Sequence, residues 1–343
     1  MGLRPATPAK ALMRRAFRIL ASSAVVSAAL AAASLAQAAT FCDRGNEISA
    51  TEQDRQLQVV AIARRALESS GASAALVSRS GTDLSRFQLQ YSHSGIALKD
   101  SRNSPWSVRQ LYYACDESQA KLYDQGLAGF LLSAGRTEPI RLSIVLLPER
   151  EGARLAASAL DNRRALALLS PRYSASAYAF STRYQNCNQW VAELMGFAWA
   201  PRDEHAAAAA PVQSVLSVEG VAVEGVPVEG DIPTRRQAQR WLKDLGYDPA
   251  PVAVPSHAVM FAAQFVPLIH SDDHPIDDLY AMRLKVSTPA ALEAFAHRLV
   301  PDAQRVEFCA SGSTIIVRRG WTPLPADCRA SGGDEVLPLA GAV

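Results

Sequence analysis

An excess of charge of one sign is missing from this chain. Thirty-five Lys and Arg face 33 Asp and Glu, a formal net charge of +2. Five basic residues and no acidic ones fall in the first 38 positions, so +2 less five leaves about −3 on the remainder. That balance provides no basic surface for nucleic acid or anionic lipid. Long apolar runs are equally scarce. The one present, Ile19 to about Leu35, follows Arg4, Lys10, Arg14, Arg15 and Arg18 and ends in Ala36-Gln37-Ala38. A basic start, an apolar stretch and a small-x-small end are the pattern of a secretory signal peptide, cleaved near Ala38. Thr40-Phe41 before Cys42 lacks the small residues of a lipid-attachment site. No other stretch is long and apolar enough to span a bilayer. The expected location is therefore periplasmic or secreted, with no membrane span after signal removal.

Cysteine is sparse and odd in number: Cys42, Cys115, Cys187, Cys309 and Cys328. In an oxidising compartment two disulfides leave one free thiol. Cys309 and Cys328 are close neighbours and a natural pair. Cys42 with Cys115 would tie the N-terminus to a strand, leaving Cys187. The sequence does not fix this connectivity.

The odd cysteine stands in Tyr184-Gln185-Asn186-Cys187-Asn188-Gln189-Trp190-Val191-Ala192-Glu193-Leu194. Trp190, Val191, Leu194, Met195 and Ala198 recur at helical spacing after it. Asn186 is a capping residue, which puts Cys187 in the first turn. Unpaired amides and the helix dipole there favour a thiolate and lower a thiol pKa. A buried structural cysteine is the competing reading.

The remaining elements read as follows. Ser49-Ala50-Thr51-Glu52 is a capping box. The helix behind it carries Leu57, Val60, Ala63 and Leu67 inward and stops near Gly71. Ala74 to Ser78 is a short strand, and Phe87 to Leu98 a long one with His93, Gly95 and Ala97 on one face. Gly95 beside the histidine lets another segment approach closely. Trp106 to Cys115 and Lys121 to Asp124 form an antiparallel pair, and Ile140 to Leu147 is a buried strand. Glu149 to Leu169 is one helix with Leu155, Ala159, Leu166 and Leu169 inward. Asp161-Asn162-Arg163-Arg164 is its solvated face. Helices start at Thr234 and cover Ala290 to Leu299. A hairpin around Gly312 pairs Val306 to Cys309 with Thr314 to Arg318. Residues 201–232 hold a run of alanines and three Val-Glu-Gly units too small to bury a core, so they read as an insertion or linker. The boundaries are then 1–38 signal peptide, 39–200 core, 201–232 insertion, 233–328 the C-terminal part of the same domain or a small subdomain, and 329–343 a disordered tail.

His93 is the best basic partner for Cys187, since a Cys-His hydrolase needs an imidazole to take the thiol proton and return it to the leaving group. A satisfied core histidine is the alternative. A third group usually orients the histidine. Gln110, on the next strand and on one face with Tyr112, offers an amide oxygen to the imidazole N–H. No His, Asp or Glu occupies the body of that strand. His270-Ser271-Asp272-Asp273-His274 has the donors for a divalent metal but sits in a loop context. His270 and Asp272 are assigned instead to substrate binding, and no metal or cofactor is expected.

Tyr91-Ser92-His93-Ser94-Gly95-Ile96-Ala97 resembles the histidine strand of the papain-like superfamily that includes the NlpC-type cell-wall peptidases. Asn186-Cys187-Asn188-Gln189-Trp190-Val191 resembles its cysteine helix. Here His93 precedes Cys187, the order of the circularly permuted branch that includes lecithin:retinol acyltransferase-like proteins. Phe41-Cys42-Asp43-Arg44, Ser104 to Tyr113, Tyr123-Asp124-Gln125-Gly126, Asp161-Asn162-Arg163, Tyr184 to Trp190 and His270 to Pro275 together resemble the domain-of-unknown-function 2145 family of secreted proteobacterial proteins. That second resemblance implies a compartment but no activity. The first implies an α+β fold, an antiparallel sheet packed with helices in permuted papain-like order. It also implies a cysteine hydrolase or acyltransferase acting on an amide or ester, with a peptidoglycan peptide or an acyl group as envelope substrate. A non-catalytic envelope scaffold with a degenerate site is the alternative.

Overall fold

The computed structural model describes residues 48–135, 137–201 and 232–339. The expected signal peptide, Cys42, the Val-Glu-Gly units and the last four residues lie outside the described residues. Within them, no helix is long and apolar enough to cross a membrane.

The chain builds an α+β fold on one antiparallel sheet. Helix α1 (Ala50–Ser69) leads to β1 (Ala74–Arg79), β2 (His93–Leu98), β3 (Ser107–Ala114) and β4 (Gln119–Gln125). Then come α2 (Leu127–Leu132), β5 (Ile140–Leu146), α3 (Glu149–Leu160), α4 (Asn162–Ala167) and the cysteine helix α5 (Cys187–Trp199). The C-terminal part holds α6 (Arg235–Asp244), β6 (Val252–Ala253), α7 (His257–Ala263), α8 (Ile276–Tyr280), β7 (Arg283–Leu284) and α9 (Pro289–Leu299). It ends in β8 (Gln304–Ser311), β9 (Thr314–Arg319) and β10 (Glu335–Pro338). Eight strands order as β10-β9-β8-β5-β1-β2-β3-β4, while β6 and β7 pair separately. The C-terminal hairpin thus extends the same sheet through β8 against β5.

Helices cover both faces of this sheet, which is why β1, β2 and β5 are buried along their whole length. On one face Trp190, Leu194 and Met195 of α5 pack with Leu76, Ile96, Leu98 and Leu111, and with Leu242 and Phe295 of α6 and α9. On the other, Val59, Ala63 and Leu67 of α1 and Phe130 and Leu131 of α2 pack with Val77, Ala97, Val108 and Ile144. Buried ion pairs tie the layers. Glu307 of β8, wholly inaccessible, accepts from Tyr91 (2.6 Å) and Arg305 (2.9 Å). Glu193 of α5 accepts from Arg235 (2.8 Å), Gln185 and Gln239 (both 2.7 Å), clamping α6 to the cysteine helix.

Several expectations are corrected. The strand expected from Phe87 begins only at His93: Ser85–Phe87 is a 3-10 turn and Gln88 has φ +59°, which a strand cannot hold. The helix expected through Leu169 breaks at Asp161. Its backbone turns extended, and its carboxylate accepts from the Arg163 and Arg164 amides to start a new helix. Asp161 is therefore a cap rather than part of a helix face, and Leu166 is 55% exposed. Leu57, expected inward, is 42% exposed, and Gln56 takes its place by donating to the Gly135 carbonyl (2.9 Å). In the tail expected to be disordered, Glu335–Pro338 pairs with β9 as the sheet edge.

Candidate active site

The cysteine stretch is fixed from both sides. Asn186 caps α5 by accepting from Gln189 N (2.7 Å), and its amide donates to the Ala175 and Ser287 carbonyls. Gln185 is fully buried; it accepts from Ser170 N (2.8 Å) and donates to the Leu168 carbonyl (2.8 Å). A one-residue parallel bridge between Tyr173 and Gln185 brings Tyr173 alongside. Burial, with Cys187 as a neighbour, raises its hydroxyl pKa well above the usual tyrosine value.

Cys187 opens the helix, and it is the free cysteine of the described residues. Cys309 and Cys328 are joined, and Cys115 is also disulfide-bonded. The expected partner of Cys115, Cys42, lies outside the described residues. The main-chain N–H groups of Asn188, of Ser94 and of Cys187 itself favour the ionised sulfur. Ser94 is the residue after His93. Strand β2 pairs with β3 at Ile96–Arg109, Ala97–Val108 and Leu98–Ser107, and the pairing ends there. Ser94, opposite Ser78 of β1, lies beyond the last β2 residue that pairs with β3. Asn188 reaches the same strand end, its amide 3.5 Å from the Ser92 carbonyl.

His93 and Gln110 meet as expected. His93 Nε2 is hydrogen-bonded to Gln110 Oε1, and Gln110 Nε2 donates to Gln125 Oε1 (2.7 Å). An amide oxygen only accepts, so Nε2 carries the ring proton and Nδ1 is left as the base. The approach of β3 depends on Gly95. A Cβ there would lie 2.5 Å from Val108 Cγ1 and 3.2 Å from Gln110 Cβ. The imidazole lies 5.8 Å from the Phe130 ring and 6.4 Å from that of Tyr112. The thiol thus approaches the His93–Ser94 main chain from the α5 layer, and the ring lies against α2. The site is arranged about the end of β2.

Burial dominates the electrostatics. It pushes the Cys187 thiol up to about 11, against the lowering effects of the Arg79 charge and the three amides. The depressed thiol expected from the helix terminus is therefore not what the closed pocket yields: desolvation of the thiolate outweighs the dipole. Burial, aided by Arg79, takes His93 down to about 3. At neutral pH both groups are uncharged.

His270 and Asp272 are held elsewhere. The His270 ring stacks on Tyr184 (4.8 Å, 15°), and its carbonyl accepts from Ser174 and Ser176. Asp272 pairs with Arg183 (2.6 Å), and His274 Nε2 meets the Ser176 carbonyl (2.7 Å). The loop clasps the segment that leads to Cys187. Among the described residues no hydrogen bond, ion pair or ring contact joins His270 or Asp272 to Cys187, His93 or Gln110, and no metal-holding cluster is present.

Sequence reasoning missed three neighbours. Arg79 falls one residue beyond the strand as read from its apolar run; a charge closing such a run, opposite a histidine, was the available signal. Tyr173 and Gln125 gave no local signal, because a bridge and a strand register bring them in.

The chain belongs to the family described as "Uncharacterized protein conserved in bacteria (DUF2145)", whose model matches residues 66–296. That span runs from the end of α1 into α9 and includes His93, Gln110 and Cys187. No curated protein and no solved structure matches the chain.

Proposed function

We propose that this member of the DUF2145 family is a periplasmic or secreted cysteine hydrolase or acyltransferase, with a sheet and cysteine helix in permuted papain-like order. One observation carries the reading. The free cysteine opens a helix whose first turn abuts the histidine strand, and that histidine is held by a glutamine in the tautomer a base requires. Disulfides at Cys115, Cys309 and Cys328 support an oxidising compartment.

The chemistry follows from these groups. Cys187 sulfur attacks an amide or ester carbonyl while His93 Nδ1 takes the thiol proton. Moving that proton creates both charges at once, and their attraction in a closed site offsets part of what burial costs each. Gln110 keeps the imidazolium oriented. The first-turn N–H groups of Cys187 and Asn188 receive the developing oxyanion. Collapse breaks the carbonyl–leaving-group bond, His93 returns its proton to the amine or alcohol, and a thioester remains on Cys187. Water then completes hydrolysis, or a second nucleophile completes acyl transfer. Cell-wall peptides are the first substrate class by compartment, acyl lipids the second.

A second reading, a non-catalytic envelope scaffold, is favoured by one fact: the thiol is 5% exposed and held protonated. The deciding experiment incubates the signal-free protein with cell-wall peptides and acyl lipids and follows both products and the mass of Cys187. The enzyme reading expects turnover that falls about 100-fold or more in Cys187→Ala and His93→Ala. Turnover surviving in Cys187→Ala would overturn it, and no turnover with no mass change would leave the scaffold.

A further inference from the structure

Four arginines are buried among the described residues. Three face buried glutamates: Arg141 with Glu307, Arg235 with Glu193, and Arg305 with Glu293 and Glu307. Arg79 is the exception. It is 4% exposed, and no carboxylate pairs with it among the described residues. Its guanidinium donates to the Ser80 carbonyl (3.1 Å) and the Ser133 hydroxyl (3.3 Å), both uncharged, and Nε is buried without an acceptor. An unpaired buried charge is costly, and such costs gather at functional sites.

Its position is at the candidate site. Arg79 ends β1 directly opposite His93 of β2. The guanidinium carbon lies 5.3 Å from the centre of the Phe130 ring, which also flanks the His93 imidazole. The Arg79 charge acts on both Cys187 and His93. Burial lowers its own pKa to about 10, which leaves it cationic at neutral pH.

We infer that Arg79 is the anion receptor of this site and takes a carboxylate carried by the substrate next to the scissile carbonyl. The inference rests on the proposed function and narrows its substrate class to anionic amides or esters. A guanidinium is a planar fork that matches a carboxylate, and that of Arg79 lacks such a partner among the described residues. An uncharged substrate would leave the charge unpaired, so the site selects by rejection as well as attraction.

Iodoacetate and iodoacetamide test this on the signal-free chain with disulfides intact. Both transfer a methylene carbon to sulfur and expel iodide; they differ in carboxylate against amide. The ratio of their rates at Cys187 is compared with the same ratio for free cysteine. Wild type should favour iodoacetate by about tenfold or more over that reference, the order expected of a charge-assisted hydrogen bond. Arg79→Met should return the ratio to the free-cysteine value, and Arg79→Lys should keep only part of the preference. Arg79→Met should also melt no lower than wild type, because an apolar side chain removes an uncompensated charge. A wild-type ratio equal to that of free cysteine overturns the proposal. So does an Arg79→Met variant that slows both reagents equally, which would make Arg79 a counter-charge of the thiol. Failure of both reagents to modify folded protein overturns it too. The parent reading fails separately: if His93→Ala leaves both rates unchanged, the Cys-His pair is refuted whatever the ratio does.

Discussion

Replacing Gly95 with alanine tests how the site is assembled. The added Cβ would lie 2.5 Å from Val108 Cγ1, 3.0 Å from the Arg109 carbonyl oxygen and 3.2 Å from Gln110 Cβ. Val108 can turn away, but the carbonyl belongs to β3 and moves only with the strand. Overpacking of this kind costs about 1–3 kcal/mol. Alanine restricts the unfolded chain, which returns about 0.4–1 kcal/mol. The net loss is then centred on about 1.3 kcal/mol, or roughly 3–5 °C in melting temperature at about 2–4 °C per kcal/mol. Thermal and urea unfolding followed by circular dichroism measure it. The variant paired with Val108→Ala should recover part of the loss, as expected for residues in contact. A Gly95→Ala protein that melts with wild type, with no coupling to Val108, would refute the close packing of β2 on β3 that sets Gln110 against His93.

Three further outcomes are expected. Asn186→Ala removes the cap of α5 and should cost about 1–2 kcal/mol in urea unfolding. Glu193→Ala leaves Arg235 buried without its carboxylate and should cost about 3–5 kcal/mol, far more than an exposed pair such as Arg64–Glu68. Stability should fall at both ends of the pH range, as a melting series would record. His93 is lowered from 6.5 to about 3, so the unfolded state takes up the proton first; its contribution is full above pH 6.5 and is lost as pH falls towards 3. Cys187 is raised from 9.0 to about 11, so its contribution is full below 9.0 and is lost as pH rises towards 11. His93→Gln should flatten the acid limb and Cys187→Ser the alkaline one.

Much of the site was legible because its signals are local. Asn186 before Cys187, and helical spacing behind it, define a cap and a first turn without tertiary information. Gly95 and Gln110 were readable from strand parity. The thiol's ionisation was not, because the dipole is local but desolvation depends on Tyr173, the β2 end and α5 closing together. Arg79 was lost to a boundary one residue short. The break at Asp161 was missed because aspartate within an apolar period reads as a solvated turn of helix, although its carboxylate competes for the backbone amides. The His270–His274 loop looked like ligand chemistry, yet its polar groups staple Ser174, Ser176 and Arg183. Residues 335–338 gave no alternation strong enough to mark a strand; pairing with β9 supplies the order.

The most direct test of the central claim is the rate of Cys187 alkylation by iodoacetamide against pH in wild type and His93→Ala, with disulfides intact. A thiol held up to about 11 with no base beside it loses reactivity about tenfold for each pH unit below that value. If His93 is the base, wild type at pH 7 should react about 100-fold or more faster than His93→Ala. Superimposable profiles for the two proteins would contradict the Cys187–His93 pair.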